Sequence, residues 1–258
     1  MVFVIAKPDT NRVVVTNKNS GISIVIPAHA VEVAHNVFSL GTAIDVDGRI
    51  VEGFIIVHKK NNAKPPWAGG GGKKGGSTCY SLIAKGASWK NPEPYILDNG
   101  VDSSLMKTSI DTWEAEVNSE IFGDEDLNGV FDGIDGDEIG ERPDGKNEVT
   151  QFSLGPLDSN TIAYTITWGR FSGKPSERYL SEWEMVFNTD FAFGDGELNE
   201  SVMDFQSIAS HELGHALGLS HPDSTCIEET MYASAGYGET KKRDLFDGDI
   251  AGLKELYN

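Results

Sequence analysis

Residues 211–221 of this 258-residue chain read His211-Glu212-Leu213-Gly214-His215-Ala216-Leu217-Gly218-Leu219-Ser220-His221. On a helix, residues four apart share a face, so His211 and His215 can reach one metal ion together. Glu212 sits one position round, near enough to hold a water on that metal without being a ligand. Gly218 readily adopts positive φ and lets the chain turn sharply, which brings His221 back to the metal. Three neutral imidazoles with a fourth position left for water make an open tetrahedral zinc site, not a closed structural one. Zinc lowers the pKa of its water toward about 7 and polarises a carbonyl oxygen. Glu212 is placed to take the proton as water attacks and to pass it to a leaving amine. Five fixed positions coincide by chance on the order of 10⁻⁷ per starting position. That rarity sets aside a buried helix whose histidines are merely hydrogen-bonded. The chain's other histidines, His29, His35 and His58, all precede residue 78.

The flanking pattern supplies the elements that must position these groups. Val202, Phe205, Ile208, Ala209, Leu213 and Ala216 keep a 3.6-residue rhythm and predict a helix from Ser201 to Leu217, with Asp204 near its positive end. Met106, Ile110, Trp113, Val117 and Ile121 predict a second helix from Ser104 to Ile121. Ile162–Trp168 and Glu182–Phe187 are predicted strands. Ile162–Trp168 is either an ordinary sheet strand or an edge that pairs with an extended peptide. Arg12–Thr16, Ile22–Ile26, Val37–Asp45 and Arg49–His58 are rich in Val, Ile and Phe, and Asp47-Gly48 marks a hairpin. Residues 1–66 are therefore expected to form a small β-rich N-terminal module. Residues 67–77, mostly glycine, form a flexible linker open to proteolysis, and 78–258 form the catalytic region.

A second metal signal follows the predicted helix. Asp124, Asp126, Asn128, Asp132 and Asp135 occupy positions 1, 3, 5, 9 and 12 of an EF-hand-like loop, Gly129 occupies position 6, and the Val130 carbonyl occupies position 7. Position 12 departs from the usual glutamate. The stretch 124–148 carries ten acidic and two basic residues, a density that a cation or solvent must relieve. Calcium is the expected ion.

Net charge is −19, and it is uneven. Residues 1–66 hold seven basic and five acidic groups; residues 78–258 hold twelve and thirty-five. This repels nucleic acid and anionic membranes. No apolar run approaches the ~20 residues of a membrane span.

The sequence resembles the metzincin metallopeptidases and is most similar to the matrixins. Beyond the histidine motif, Thr230-Met231-Tyr232 lies where that family places a methionine beneath the metal, and 245–257 resembles its C-terminal helix. The resemblance implies an α+β catalytic domain: a twisted mixed sheet with an active-site helix and a C-terminal helix. It implies that Gly218, Met231 and Asp249 support the site, with Asp249 bonding the backbone around Met231. It also implies that 233–237 wall the pocket for the residue following the cleaved bond. Several features depart from the family, among them Ala233 after Met231-Tyr232, where matrixins often carry a proline, and the lack of histidines for their second, structural zinc. Gly248 stands where matrixins carry a second aspartate, and the cysteine-switch motif of their propeptides is absent.

The expected function is a zinc endopeptidase acting on extended protein or peptide segments: secreted or at the cell surface, monomeric, with its leader not in this chain. The N-terminal module is either a prodomain covering the cleft or an accessory binding module. The alternative from another class is a calcium-stabilised surface or adhesion protein with non-catalytic zinc. Cys79 and Cys226 either pair as a disulfide, which an extracellular setting permits, or remain free thiols.

Overall fold

The computed structural model describes residues 12–16, 23–27, 29–60, 78–117, 119–134, 142–155 and 159–258. β1 (Arg12–Thr16) and β2 (Ser23–Pro27) form an antiparallel pair of their own. β3 (Val31–Ala34), β4 (Val37–Ile44) and β5 (Ile50–Lys60) form an antiparallel meander. The β4–β5 turn is the Asp47-Gly48 hairpin: Asp45 N donates to Arg49 O at 2.9 Å, and Gly48 N to Asp45 O at 2.8 Å.

After β6 (Ser81–Leu82) come β7 (Glu93–Leu97), α1 (Ser103–Glu114), β8 (Phe122–Glu125), β9 (Asn147–Phe152), β10 (Thr161–Arg170) and β11 (Tyr179–Asn188). Next are β12 (Phe193–Gly194), β13 (Met203–Asp204), α2 (Phe205–Ala216), β14 (Leu219–Ser220), β15 (Ser234–Ala235) and α3 (Asp247–Tyr257). One mixed sheet runs β3-β4-β5-β10-β11-β9-β7-β8, with β15 alongside β5. β8, β7, β9 and β11 are mutually parallel, β10 is antiparallel to both β11 and β5, and β15 runs parallel to β5. The short pairs β6–β14 and β12–β13 lie outside it. The fold is α+β. No helix among the described residues is long and apolar enough to cross a membrane.

Besides α2 beginning at Phe205 and not Ser201, two points bear on the sequence reading: the open choice for Ile162–Trp168 and the length of the first helix. β10 is not a free edge, because β5 pairs along it from Thr161↔Lys59 to Gly169↔Glu52. The N-terminal strands β3–β5 are thus hydrogen-bonded into the same sheet as the C-terminal strands. The glycine-rich segment 67–77 lies outside the described residues. Secondly, α1 ends at Glu114, not Ile121. Glu114 Oε1 accepts from the amides of Ile121 (2.7 Å) and Phe122 (2.9 Å), drawing the chain into β8. Val117 and Ile121 are still buried, but on non-helical backbone. Apolar spacing records that burial and not the conformation that achieves it.

The sheet has two covered faces. The helical face packs Met106, Ile110, Trp113, Phe187, Leu213 and Met231 into the larger core. The other face gathers Phe38, Leu40, Val51, Ile55, Val57, Tyr164 and Trp168. Strand alternation sends Val51, Ile55 and Val57 to this second core, so Phe54 and His58 face the helices.

Helix α3 is held by the segment that begins the C-terminal region. Cys79 and Cys226 are disulfide-bonded, with Cα atoms 5.6 Å apart and 147 residues between them. This explains Gly248: a Cβ there would lie 2.3 Å from the Cys79 carbonyl oxygen and 2.8 Å from the Glu229 carboxylate carbon. The backbone of Cys79 occupies the space an aspartate would need. A loop this long places the entropic gain near ~4–5 kcal/mol. Cys79→Ser and Cys226→Ser should therefore each lower stability by roughly 2–5 kcal/mol in urea denaturation, with the double variant no worse than either single. Additive losses would mean the two cysteines act separately.

Candidate metal centre

Helix α2 is buried along nearly its whole length, with Gln206 as its one unburied residue. Its start is tied down by Asp204, whose Oδ1 accepts from Ser207 N at 2.9 Å and whose carboxylate also pairs with Arg243. Trp113 Nε1 donates to Ser210 O at 2.8 Å, and Trp89 Nε1 to Ala216 O at 2.9 Å. Two indoles thus clamp the turns on either side of His211–His215. Gly218, at φ 98°, ends the helix, and its N–H bonds His215 O at 2.9 Å. A Cβ there would sit 2.9 Å from Ala87 O, so the turn is closed to other residues on both counts.

That turn brings the three histidines together. His211 Nε2 lies 3.1 Å from His215 Nε2 and 3.3 Å from His221 Nε2. A tetrahedral ion with bonds of about 2.0–2.1 Å would hold its nitrogens about 3.3 Å apart, so the donor set fits zinc in type and spacing. The Nδ1 atoms of two rings are occupied elsewhere: His211 Nδ1 faces Thr230 O at 2.6 Å, and His215 Nδ1 faces Leu219 O at 3.0 Å. A carbonyl on Nδ1 sets the tautomer that frees Nε2 for a metal. Burial holds the His211 and His221 pKa values well below the ordinary histidine value and brings His215 down to about 3, so all three imidazoles are neutral and could serve as ligands.

Glu212 is fully buried, and desolvation pushes its carboxyl up to about 8. Thr165 on β10 donates to Glu212 Oε2 at 2.7 Å. The other oxygen, Oε1, lies 3.2 Å from His58 Nδ1 on β5, and neither atom has a hydrogen-bond partner among the described residues. The His58 ring also stacks on His211, with centroids 3.7 Å apart. The sequence reading gives Thr165, His58 and the buried Lys242 beside them no role in the site. Thr165 and His58 show in the sequence only as polar residues within apolar strands and Lys242 only as one of three consecutive basic residues, and neither signal says what the residue faces.

The segment beneath the histidines is held by α3. Asp249 Oδ2 accepts from Thr230 N at 2.7 Å and Oδ1 from Met231 N at 3.1 Å, so one carboxylate fixes both backbone amides. Glu229, also unanticipated, caps the start of α3: its Oε2 accepts from Gly248 N (3.0 Å) and Asp249 N (3.2 Å). The two carboxylates are buried neighbours. Burial first, then the Asp249 charge, pushes Glu229 up to about 7, and burial also raises Asp249.

The acidic loop is built differently from an EF-hand. Asp124 and Glu125 belong to strand β8, and no helix enters the loop directly. Asp126 Oδ1 accepts from Asn128 N at 3.0 Å, and Asp132 pairs with Lys146. Val130 is exposed, and Asp135 lies outside the described residues. Among the described residues, Asp124, Asp126 and Asp132 form no cluster of the kind the three histidines do.

Residues 150–258 match the matrixin (peptidase M10) family model. The chain is 34% identical over 74 residues to metalloendoproteinase 5-MMP of Arabidopsis thaliana, covering 26% of this chain and 20% of that protein. It is 38% identical over 71 residues to matrilysin of Rattus norvegicus, covering 28% and 25%. To matrilysin of Homo sapiens it is 31% identical over 104 residues, covering 40% and 34%. The matched stretches thus span about a fifth to a third of these relatives.

Metal analysis of the folded protein should find zinc near one equivalent, and His215→Ala should remove it. The Glu229–Asp249 pair adds a pH dependence. A carboxyl whose folded pKa is raised favours the fold while protonated, so its contribution is full below about 4.5 and is lost as pH rises through about 7. Under zinc saturation, Glu229→Gln should flatten the fall in urea stability between pH 5 and 7.5. An unchanged slope would remove Glu229 as its source.

Proposed function

We propose, from the premise that the chain is a matrixin-like metzincin, that it is a zinc-dependent endopeptidase held latent by its own N-terminal strands. The convergence of three buried imidazoles beside Glu212 carries this reading. His211, His215 and His221 would hold the zinc, which supplies Lewis acidity that activates water and polarises a peptide carbonyl. Glu212 would accept the proton of the attacking water and deliver it to the leaving amine. Thr165 holds one carboxylate oxygen and so sets the orientation of the other. Asp249 keeps Met231 packed under the ligand cluster, and Gly218 keeps His221 turned toward it.

The latency reading rests on the position of β5. At residues 57–60 it runs antiparallel to β10 and parallel to β15, the track an extended substrate would take by β-augmentation. The occupied track leaves His211, His215 and Glu212 fully buried, and His221 Nδ1 faces His35 O at 3.5 Å. This favours the prodomain reading of residues 1–66 over an accessory module. The blocking side chain is His58, which rests on the base and on the ring of a ligand. It needs no cysteine, which fits the absence of the cysteine-switch motif. Substrates are protein segments able to take the place of β5. The disulfide suits a secreted or cell-surface setting. A structural calcium at Asp124, Asp126, Asn128, Val130, Asp132 and Asp135 belongs to the same reading, supported by spacing and by the local excess of acidic residues.

Casein digestion should be weak for the intact chain and rise at least about tenfold once the 67–77 segment is cut, since an occluded site is paid for by displacing a strand. Equal activity before and after cutting would end the latency reading. Glu212→Ala in the cut protein should keep its zinc and circular dichroism yet lose about 10²–10⁴ in kcat/KM. Retained turnover would remove Glu212 from the mechanism. Calcium should raise Tm in the wild type and not in an Asp126→Ala variant.

A further inference from the structure

The seat occupied by His58 has a floor, and the floor is a lysine. Lys242 is fully buried, and its Nζ donates to the Tyr232 carbonyl. The same Nζ lies 3.3 Å from His58 Nε2 and 3.2 Å from His211 Nδ1. His211 Nδ1 already faces Thr230 O at 2.6 Å and spends its proton there, so it offers Lys242 no lone pair. That leaves His58 Nε2 as the side-chain acceptor reaching Lys242 from the strand in the cleft. The ring of His58 is thus held between the His211 face, the Glu212 carboxylate and the Lys242 amine.

The backbone shows what else can enter that seat. The next two residues, Lys59 and Lys60, pair with Ser234 and Ala235 of β15. Lys59 N also donates to Ala233 O at 3.3 Å, while His58 lies opposite Ala163 of β10. A peptide that replaces β5 meets the same two backbone rails and drops one side chain where His58 now lies. An apolar side chain there would leave a buried amine short of an acceptor, which costs more than the contact gains.

We propose that Lys242 is a specificity-determining residue, the donor at the floor of this side-chain pocket. It selects substrates presenting a hydrogen-bond-accepting side chain (carboxylate, carboxamide or imidazole) at the position of His58. On the peptidase reading we take that position as the residue on the C-terminal side of the cleaved bond, because the residues that follow it run along Ser234 and Ala235. The inference rests on the peptidase reading for the word substrate. The pocket and its donor stand without it, and the test has an arm for each.

The first arm uses the intact chain and no catalysis. In a double-mutant cycle read by urea denaturation with zinc present, His58→Leu should lower the folding equilibrium constant about tenfold, while His58→Gln should lower it much less. In a Lys242→Met background the His58→Leu penalty should vanish. Equal penalties in both backgrounds would overturn the pocket assignment. The second arm profiles the linker-cut wild type on a peptide library randomised after the scissile bond. Glu, Gln and His should be favoured over Leu and Met by about tenfold in kcat/KM, and Lys242→Met should reverse the order. Preference for Leu by the wild type would overturn the specificity role while leaving the peptidase intact. Cleavage of no peptide at all would overturn the peptidase reading, and the first arm would still decide the pocket. If Lys242→Met does not fold, the wild-type profile and the His58 pair decide alone.

Discussion

Three imidazole nitrogens must meet within about the width of one tetrahedral ion, and the surrounding structure is arranged around that constraint. Two of them come from one face of a helix at no extra cost, but the third must return from beyond the helix end. The return needs a residue at positive φ with no Cβ, which is Gly218. Holding the rings takes more. Their Nδ1 atoms need acceptors, and for His211 that acceptor is the carbonyl of Thr230, whose own position is set by Asp249. The chain of dependence runs from α3 through Asp249 to Thr230 and His211, and the Cys79–Cys226 disulfide and Glu229 brace α3 from behind.

Burial is the second theme. Desolvation keeps the histidines neutral, and it makes any stray polar atom expensive. Glu212, His58 and Lys242 are three such groups in one place, and each leans on the others: a carboxylate oxygen on one imidazole nitrogen, the second nitrogen on an amine. A strand that completes such a set is held by more than backbone pairing. In the proposed pocket the same interdependence selects, because whatever displaces β5 inherits an amine that keeps the Tyr232 carbonyl but has lost its His58 acceptor.

Much of the site was legible in the sequence because its geometry is local. Four-residue spacing on a helix, a glycine after it and an aspartate opposite a methionine turn are properties of short segments. Two locally plausible readings show the limit. The apolar steps from Met106 to Ile121 are buried, yet Glu114 ends the helix by bonding amides seven and eight residues on. With the helix ending at Glu114, Asp124 and Glu125 fall into a strand, and the acidic loop lacks the helical entry of an EF-hand. In the first case a side-chain-to-backbone interaction outweighed periodicity, and in the second a backbone strand pairing outweighed ligand spacing.

What the sequence by itself determined is which side chains could do chemistry: three imidazoles able to reach one ion, a glutamate beside them, and an α+β frame to hold them. Local spacing suffices for that, because ligands on one helix and its turn are placed by backbone geometry common to all helices. What only the tertiary structure decided is the company those groups keep. The pairing of β5 with β10 joins residues more than a hundred positions apart, and it sets His58 on Glu212 and over Lys242. Strand partners are chosen by the burial of whole faces, and no motif of eleven residues contains that choice.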